Sequence, residues 1–527
     1  MNMRKKSSGG VSGVARDEES GIAIPASSDP ADGIELVFGL VGPTGVDLSM
    51  VCNALKSELK AVEYEPIVIP LSELIPRFKD EASFLPQNEY ERIKTLMSMG
   101  SDLRQETKQA DIIGRLGVAE IRAKRASRFG DPMRPIPKAA YIIRSFKRPE
   151  EVELYRDIYG KAFTLISVYS PRATRVRHMV KKFSAIKVDN RSPEELAVEL
   201  VDRDYAEEGR KKFGQSVAEA FPLADYFLTS ESRTEVEKNI RRLIRLSFGD
   251  PYVSPTRDEQ GMFFAQASAL RSLDLSRQVG AAIISKDGDL LSTGCNEVPK
   301  FGGGLYWAED KPCERDVELG LDSNVAVKRE IVEDAFGRLR KAGLLSSLAK
   351  DKSDADLANE SLFGDQAYIR TSKLFDVIEF GRAVHAEMSA ITQAARIGIP
   401  LAGNRLFCTT FPCHICARHI ISSGISDVVF IEPYEKSRTR DLYGDSISIE
   451  PDEPSRQRAN FRAFVGVAPR RYMEFFKMAS DRKNREGRIL ESDEIAKKPR
   501  IRRFVLTYLA LEVIIMKETA PRPRKGD

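Results

Sequence analysis

Cysteine, net charge and long apolar runs are all scarce in this sequence, and each shortage excludes a class of protein. Six cysteines in 527 residues are too few for a disulfide-rich secreted scaffold, and no cleavable apolar leader follows Met1. The longest strongly apolar stretch, residues 504–516, is well short of the ~20 residues that span a bilayer. We therefore expect a cytoplasmic protein without a membrane anchor, whose thiols serve as ligands or core residues.

The charge balance and length describe a soluble, multi-domain chain. The sequence has 82 Lys and Arg against 78 Asp and Glu, a formal charge of +4. This charge is too small for a surface that coats a polyanion, so any basic site must be local. With 42% hydrophobic and 30% charged residues, the composition is that of an ordinary globular protein. The length predicts at least two sizeable domains.

The first domain is predicted over residues 34–240, after a flexible tail at 1–33 that is rich in Ser, Gly, Ala and Pro. A nearly continuous apolar run from Ile34 stops at the turn 42–45 and is followed by a helical pattern. Further buried strands are predicted at 66–71, 139–146 and 163–169. A helix-like run at 149–160 separates the last two strands. The alternation predicts a parallel α/β domain.

A second α/β domain is predicted over residues 255–480, followed by a basic C-terminal extension at 481–527. It opens with a helix and a hairpin whose strands flank an Asp-Gly turn. A charged segment, 308–380, is interpreted as an insertion on the surface. Helices and strands then alternate at 385–398, 405–410, 413–423 and 427–433. The fold class is therefore α/β in both domains.

The most specific chemistry lies in two short motifs of the second domain. His385-Ala386-Glu387 is followed by Pro412-Cys413-His414-Ile415-Cys416, and H-x-E with P-C-x-x-C is the signature of zinc nucleobase deaminases. The three ligands His385, Cys413 and Cys416 leave one position of a tetrahedral Zn²⁺ open, which indicates a catalytic site. Glu387 follows His385 on the same predicted helix, so its carboxylate can take a proton from water.

Two other interpretations of these residues stay open at this point. The first is a coincidental histidine beside two buried cysteines. The second is a closed structural zinc, because His419 lies one helical turn beyond Cys416 and would complete a Cys₂His₂ set with His385. The structural site would leave Glu387 without a role, so we favour the catalytic site.

Residues 262–300 and 385–434 resemble the deoxycytidylate deaminase family. The resemblance rests on Arg271-Ser272-Leu273-Asp274, Val279-Gly280-Ala281, Gly294-Cys295-Asn296 and the zinc motif. The whole architecture resembles the bacterial antiphage dCTP deaminases, in which a P-loop kinase-like domain precedes the deaminase. This resemblance implies hydrolysis of dCTP, and with it dCMP, to deoxyuridine nucleotides and ammonia. It also implies that Asn296 holds the sugar or base edge, Val279 packs on the pyrimidine and Tyr434 closes the pocket.

The family also implies partners. Enzymes with this deaminase fold are usually oligomers, and relatives are restrained by a small RNA, so we expect a homo-oligomer and a regulator of this kind. Ordinary deoxycytidylate deaminases lack both the 308–380 insertion and the glycine run 302–304. The glycine run is predicted either to cradle a triphosphate or to be a plain hairpin loop.

The glycine turn of the first domain has the position of a phosphate-binding loop but degenerate chemistry. Aligned on G-x-x-x-x-G-K-S, the segment keeps Gly42 and Ser49, but Asp47 replaces the second glycine and Leu48 replaces the lysine. Because a carboxylate repels phosphate, we predict binding of a nucleotide effector without turnover, at Gly42, Gly45 and Ser49. Competent phosphotransfer and a purely structural domain are the alternatives.

The sequence thus predicts a zinc-dependent hydrolase that deaminates deoxycytidine nucleotides in phage defence. The first alternative is a deaminase of cytosine or adenine within RNA or DNA, with basic paths at 465–472 and 482–503. The second is a nucleotide-sensing regulatory protein with a non-catalytic zinc site. The presence of Glu387 argues against the second.

Overall fold

The polypeptide divides into two units, and the second is inserted in the sequence of the first. One unit comprises residues up to Pro255 and from Val465 onward, and the other is Thr256–Phe464. The computed structural model describes residues 34–79, 86–186, 190–205, 207, 213–365, 367–370, 372, 374, 377–434, 437–450, 455–478, 480–490, 499–500 and 507–519. The predicted tail at 1–33 lies outside the described residues.

The strands and helices are numbered in chain order. The strands are β1 (Leu36–Val41), β2 (Glu65–Pro70), β3 (Ala139–Phe146), β4 (Phe163–Tyr169), β5 (Tyr226–Thr229), β6 (Gly280–Ile284), β7 (Leu290–Cys295), β8 (Arg405–Thr410), β9 (Asp427–Glu432), β10 (Ile447–Ile449), β11 (Ala459–Ala463) and β12 (Gly466–Val467). The helices are α1 (Leu48–Ala61), α2 (Leu71–Phe78), α3 (Glu89–Thr107), α4 (Ile112–Phe129), α5 (Pro149–Tyr159), α6 (Arg172–Phe183), α7 (Pro193–Tyr205), α8 (Val217–Ala220), α9 (Arg233–Ser247), α10 (Arg257–Ala269), α11 (Asp316–Leu319), α12 (Ser323–Lys341), α13 (Ser347–Lys350), α14 (Asp354–Phe363), α15 (Ala386–Ile397), α16 (His414–Ser422), α17 (Thr439–Tyr443), α18 (Pro469–Phe476) and α19 (Thr507–Glu518).

The first unit contains a sheet of strand order β12-β5-β4-β1-β3-β2. Strands β1 to β5 are parallel, and β12 is antiparallel to β5. All six residues of the central strand β1 are buried, which explains its continuous apolar sequence. The glycine turn 42–45 therefore leaves the carboxyl end of a central strand, where ligands bind in open α/β sheets. The predicted α/β class is confirmed for this unit.

The C-terminal segment returns to the first unit, so the two units divide after Pro255 and at Val465, where the sequence predicted a first domain ending at 240 and a second domain running from 255 to 480. Gly466 and Val467 pair with Phe227 and Tyr226 and so extend the first sheet. Helix α9 packs on α1, which carries the unit past residue 240 to Pro255. A two-residue strand has no period that a sequence pattern can reveal, so only its pairing partner identifies it.

Helix α19 is also part of the first unit, inside the segment that was predicted to be a basic extension. Glu512 of α19 is fully buried and accepts hydrogen bonds from Arg125 at 2.6 and 3.0 Å and from Tyr159 at 2.8 Å. The other carboxylate on Arg125 is Glu35, at 2.7 Å. Three buried charged side chains therefore connect α4 and α19 with Glu35, the residue just before β1.

The second unit is built on a sheet of order β10-β11-β9-β8-β6-β7. Strand β6 is antiparallel to β7 and β8, while β8, β9, β11 and β10 run parallel. Helices α10 and α15 pack on opposite faces of this sheet. The α/β class is confirmed here as well. Among the described residues, no helix combines the length and apolar character that crossing a membrane requires.

Candidate active site

Four segments meet at one edge of the second sheet because of strand direction. Parallel strands β8 and β9 end at the same edge, which brings Cys413 and Tyr434, just beyond their ends, to that edge. Strand β6 is antiparallel to β8, so its start, at Val279, lies there too. Strand β7 ends opposite the start of β6, which adds Asn296. The sheet topology therefore brings together residues that are far apart in the sequence. Val279 and Tyr434, for example, are 155 residues apart.

The three predicted metal ligands come together at the starts of two helices. His385 is the N-cap of α15 and Cys413 is the N-cap of α16. Nδ1 of His385 lies 3.3 Å from Sγ of Cys413 and 3.4 Å from Sγ of Cys416. The amide of Cys416 donates to Sγ of Cys413 at 3.5 Å, so a backbone N–H group supports the thiolate.

A glycine allows α15 to approach the sheet closely enough to place His385. At Gly294 of β7, a Cβ atom would lie 2.3 Å from the carbonyl oxygen of Ala386 and 2.4 Å from the amide of Ala390. Both distances are far below any real contact, so the first turn of α15 rests directly on the backbone of β7. The loop before α16 is held by Ser437, whose hydroxyl donates to the Pro412 carbonyl at 3.0 Å.

The pKa values of the three side chains in this cluster are shifted in different directions. The pKa of His385 is raised to about 9, chiefly because the ring hydrogen-bonds to Cys413. Hydrogen bonds from Cys416, and then from His385, lower the pKa of the Cys413 thiol. Burial raises the pKa of Cys416. Zinc binds thiolates and a neutral imidazole, so zinc binding would displace the protons of His385 and Cys416 and produce the donor set that Zn²⁺ prefers.

These residues fit zinc, and they leave one coordination position open. The ligand atoms of His385, Cys413 and Cys416 lie within 4.8 Å of one another, the only group of three or more such ligands among the described residues. His419 is described but does not belong to the group, so the Cys₂His₂ alternative lacks its fourth ligand. One imidazole and two thiolates form a catalytic rather than a closed structural set.

Glu387 lies beside the ligand cluster without being part of it. The side chain is buried, and its Oε2 atom accepts a hydrogen bond from Sγ of Cys416 at 3.4 Å. Burial raises the pKa of the carboxyl group. A carboxylate that gains protons easily and lies beside a three-ligand metal cluster is placed for proton transfer.

A cavity of about 280 Å³ opens onto the cluster. Its wall includes His385, Glu387 and Cys413 and also the predicted substrate-binding residues Val279, Asn296, and Tyr434. The Asn296 side chain is engaged with the protein, because Oδ1 accepts from the Val279 amide at 2.8 Å and Nδ2 donates to the Arg277 carbonyl at 2.7 Å. One N–H and one lone pair of that amide group stay available to a ligand.

The insertion contributes to this cavity, contrary to its predicted place on the surface. Four of its residues line the wall: Asp316, Asp322, Asn324 and Ile378. Its two ends are tied together by Arg382, which forms a 2.9 Å ion pair with Asp316. The insertion has a small hydrophobic core of its own around Val332 of α12. The first turn of α12 contains Asn324 and so reaches the cavity wall. The glycine run 302–304 does not line the cavity.

Asn324 is the residue of this wall that sequence reasoning missed. Its Nδ2 atom donates to the Val377 carbonyl at 3.3 Å. Its Oδ1 atom is buried and accepts no hydrogen bond from any described residue. Buried acceptors are rarely left unpaired, so this oxygen has unused capacity for a ligand. No local sequence pattern predicted a role for Asn324, because it lies 61 residues before His385.

The predicted nucleotide-binding residues lie in the first unit. Gly42, Gly45 and Ser49 line a separate cavity of about 780 Å³. Gly45 has a φ of +95°, and a Cβ atom there would lie 2.7 Å from the Arg175 carbonyl oxygen. The loop therefore requires a glycine at this position both for its conformation and for its packing.

Comparisons with known proteins agree with this site. Residues 255–432 match the family described as the cytidine and deoxycytidylate deaminase zinc-binding region. The deoxycytidylate deaminase of Enterobacteria phage T4 is 30% identical over 166 residues, which cover 31% of this chain and 71% of that protein. ComE operon protein 2 of Bacillus subtilis is 41% identical over 54 residues, or 10% of this chain and 29% of that protein.

Among solved structures, the dCMP deaminase of cyanophage S-TIM5 in complex with dCMP and dUMP is 17% identical to this chain. The match covers 40% of this chain and all of that chain, with a TM-score of 0.22. The matched segment spans under a third of ComE operon protein 2 but over two thirds of the T4 enzyme.

The ligand cluster and the family match define a zinc-binding deaminase region, and the predicted cofactor, Zn²⁺, is confirmed at that level. The chain belongs to the deoxycytidylate deaminase family.

Proposed function

We propose that this protein deaminates deoxycytidine nucleotides hydrolytically, with Zn²⁺ as cofactor. The observation that carries the proposal is the position of Glu387, buried at the cluster but outside its set of three ligands. A purely structural metal site has no use for such a carboxylate. The family match at residues 255–432 supports the same chemistry.

The chemistry divides between the metal and Glu387. Zn²⁺, held by His385, Cys413 and Cys416, supplies Lewis-acid polarisation. The Glu387 carboxylate accepts one proton from the attacking water as the C4–O bond forms and hands it to the ring nitrogen N3. It then accepts the second proton from the hydroxyl on C4 and passes it to the amino group, so the C4–N bond breaks and a keto group and ammonia result. Burial raises the pKa of Glu387, which suits a group that holds the proton between these transfers.

The cavity wall suggests how the substrate is held. We assign Val279 to the face of the pyrimidine, Asn296 to the sugar or base edge and Tyr434 to the closing side. Asn324 adds a hydrogen-bond acceptor from the insertion. Charged groups on the wall include Asp274, Asp316, Asp322 and Arg277. The guanidinium of Arg277 is 3.0 Å from Glu432 and its side chain is 54% exposed, so it can turn toward phosphate at the rim.

We further propose dCTP, with dCMP, as the substrate, and dCTP depletion in the cytoplasm of phage-infected cells as the role. This proposal rests on the resemblance to the antiphage dCTP deaminases. The test is incubation of the purified protein with CMP to CTP, dCMP to dCTP, single-stranded DNA and RNA, with ammonia and product mass as readouts. Burying the 2′-hydroxyl unpaired costs roughly 1–3 kcal/mol, so a roughly 5- to 150-fold preference for dCTP over CTP is expected. Equal rates on dCTP and on polymers would favour the nucleic-acid alternative.

Regulation and assembly form a separate part of the proposal. We assign the first unit to binding a nucleotide effector, and we expect a homo-oligomer and restraint by a small RNA, as the resemblance implies. Light scattering during gel filtration measures the assembly. Nuclease treatment of the purified protein, followed by the dCTP assay, tests the RNA. A monomer whose rate does not change after nuclease treatment would contradict both assignments.

A further inference from the structure

The cavity of the first unit is strongly cationic. It is lined by the glycine loop and by side chains from α2, α3, α6 and the end of β3. Three acidic residues line the cavity: Asp47, Glu89 and Asp204. The basic residues outnumber them and are Arg92, Arg104, Arg144, Lys147, Lys181 and Lys182. At about 780 Å³ it has the volume of a small-molecule site and is much larger than a single phosphate needs.

Carboxylates of the protein already occupy donors of the glycine loop. Asp204 Oδ2 accepts from the Thr44 amide at 2.6 Å. Asp47 Oδ1 accepts from the amides of Ser49 and Met50, at 3.0 and 3.1 Å. In a phosphate-binding loop, amides at these places receive the anion. Two carboxylates therefore stand where phosphate oxygens would be bound.

Lys147 completes this closure. Its ammonium group lies 2.8 and 2.9 Å from the two oxygens of Asp204 and 3.2 Å from the Gly42 carbonyl. Asp204 is fully buried and the Lys147 side chain is 18% exposed, and each charge neutralises the other. The cation nearest the loop is thus already paired, and the loop in this conformation offers little to a triphosphate.

Two arginines of the same cavity have unused donors. Arg104 has a side chain that is only 1% exposed, and its Nη2 donates to Glu151 at 2.7 Å. The Nε and Nη1 atoms of Arg104 and the Nε atom of Arg144 are buried, with no hydrogen-bond partner among the described residues. Leaving a buried charged donor unpaired is costly. An anionic ligand with several acceptor oxygens would satisfy these donors, and guanidinium groups suit phosphate.

The rest of the wall is apolar enough to hold a nucleobase. Apolar side chains line the cavity beside the arginines, namely Leu71, Ile75, Ile93, Leu96, Met97 and Ile113. Two of them, Ile75 and Ile113, are neighbours of Arg104 around Gly100. A ligand with one phosphate and one flat apolar group matches both parts of this lining.

We propose that this cavity binds a nucleoside monophosphate, with its phosphate on Arg104 and Arg144, and that Asp204 holds the glycine loop closed to triphosphates. The inference names the ligand site of the effector role proposed above and rests on it. The residues that carry it are Arg104, Arg144 and Asp204, which differ from the glycine-loop residues that the sequence pointed to. Asp204 acts as a built-in competitor for phosphate at the loop.

The test is isothermal titration calorimetry on the full-length, zinc-loaded protein. The probes are AMP, GMP, ATP and inorganic phosphate. The nucleotides among them carry a purine base, which is neither the substrate nor the product base of the proposed deaminase, so the second-unit site is not the target. At least one monophosphate should bind the wild type. Its affinity should fall at least tenfold in Arg104→Met and Arg144→Met. Arg128→Met is the matched control, because Arg128 is an α4 arginine that does not line the cavity and should leave binding unchanged.

Asp204→Asn tests the second half of the proposal. Asparagine can still accept from the Thr44 amide, but it removes the negative charge from the loop and releases Lys147 from its ion pair, so ATP affinity should rise at least tenfold over wild type. Arg144→Met keeps the test decisive if Arg104→Met fails to fold, since Arg144 forms no ion pair with a described residue.

Four results would overturn the inference. They are absence of binding by every monophosphate, equal affinity for inorganic phosphate and nucleotides, unchanged binding in Arg144→Met, and unchanged ATP affinity in Asp204→Asn. Failure of the deaminase proposal would instead appear as missing ammonia release with intact monophosphate binding.

Discussion

His385 and Glu387 are two residues apart, yet their surroundings give them different roles. The His385 ring faces two sulfur atoms and can bind metal through Nδ1. The Glu387 carboxylate is buried and accepts a hydrogen bond from Sγ of Cys416. Because one side chain is at the N-cap and the other in the first turn of α15, the helix start directs them to neighbouring positions.

At this scale the roles predict opposite effects of substitution. Cys413→Ala and His385→Ala should each lose the zinc, because a three-ligand site tolerates no missing ligand. Glu387→Ala should keep the zinc and lower the deamination rate by ~10²–10⁴-fold, the usual contribution of general acid–base catalysis. Metal content by atomic emission and ammonia release measure the two properties separately.

His419→Ala is the matched control for the metal ligands. His419 lies on α16 with Cys416 but outside the cluster, so zinc should stay at one ion per chain. Zinc loss in His419→Ala, or activity within tenfold of wild type in Glu387→Ala, would contradict the catalytic assignment.

Asn324 carries the second residue-scale prediction. If its buried Oδ1 accepts a hydrogen bond from substrate, Asn324→Leu should raise KM by about 2- to 12-fold with little change in kcat, since one hydrogen bond contributes ~0.5–1.5 kcal/mol. Ser323→Ala is the control, because the Ser323 hydroxyl donates to the Phe380 carbonyl and does not line the cavity. Equal KM values in all three proteins would remove Asn324 from the binding site.

At the element scale, the contact between β7 and α15 fixes the metal centre. The strand offers Gly294 where the helix start comes nearest, so the helix axis depends on the lack of a side chain. A displaced helix start would move His385 away from the thiols, which are anchored on α16. The site thus depends on strand-to-helix distance as much as on ligand identity.

Gly294→Ala should therefore destabilise the second unit and weaken zinc binding together. The new Cβ would meet backbone atoms at 2.3 and 2.4 Å, and overpacking of this kind costs ~1–3 kcal/mol. Gly381→Ala is the control, because a Cβ there meets nothing nearer than 3.9 Å. Thermal unfolding and the zinc affinity measured against a competing chelator are the readouts. A wild-type unfolding temperature in Gly294→Ala would show that the helix does not rest on the strand as described.

At the scale of the whole molecule, the chain leaves the first unit at Pro255 and returns to it at Val465. The returning segment supplies β12, α18 and α19, so the first unit is complete only after the second has been synthesised. Glu512 of this segment has no exposed surface and accepts two hydrogen bonds from Arg125. Removing one partner of a buried ion pair leaves the other charge uncompensated.

Glu512→Gln should accordingly lower the stability of the first unit by about 3 kcal/mol. Glu518→Gln on the same helix is the control, because that side chain is 59% exposed. Hydrogen exchange read by mass spectrometry locates the effect, which matters because two units need not unfold in one step. Faster exchange should be confined to the first unit. Equal acceleration in both units, or none in the first, would contradict the assignment of α19.

Local signals predicted the strands and the clustering of His385, Cys413 and Cys416 well, because both depend on neighbouring residues. Strand β3 coincides with the apolar run 139–146, and β8 coincides with 405–410. The two ligand motifs could be identified from short spacings, because each lies at the start of one helix. The predictions for Val279, Asn296, Tyr434, Gly42, Gly45 and Ser49 remain predictions of function, although each residue lines a cavity.

The sequence by itself determined the α/β class, the cluster of one histidine and two cysteines that fits zinc, and the family. Only the tertiary structure decided that the insertion lines the active-site cavity, that the C-terminal segment completes the first unit, and that Asp204 fills the glycine loop. The physical reason is separation along the chain. Asp204 lies 160 residues from Thr44, and Glu512 lies 387 residues from Arg125. Contacts of this length leave no period or motif in the sequence, because their geometry exists only after the sheet and helices have packed.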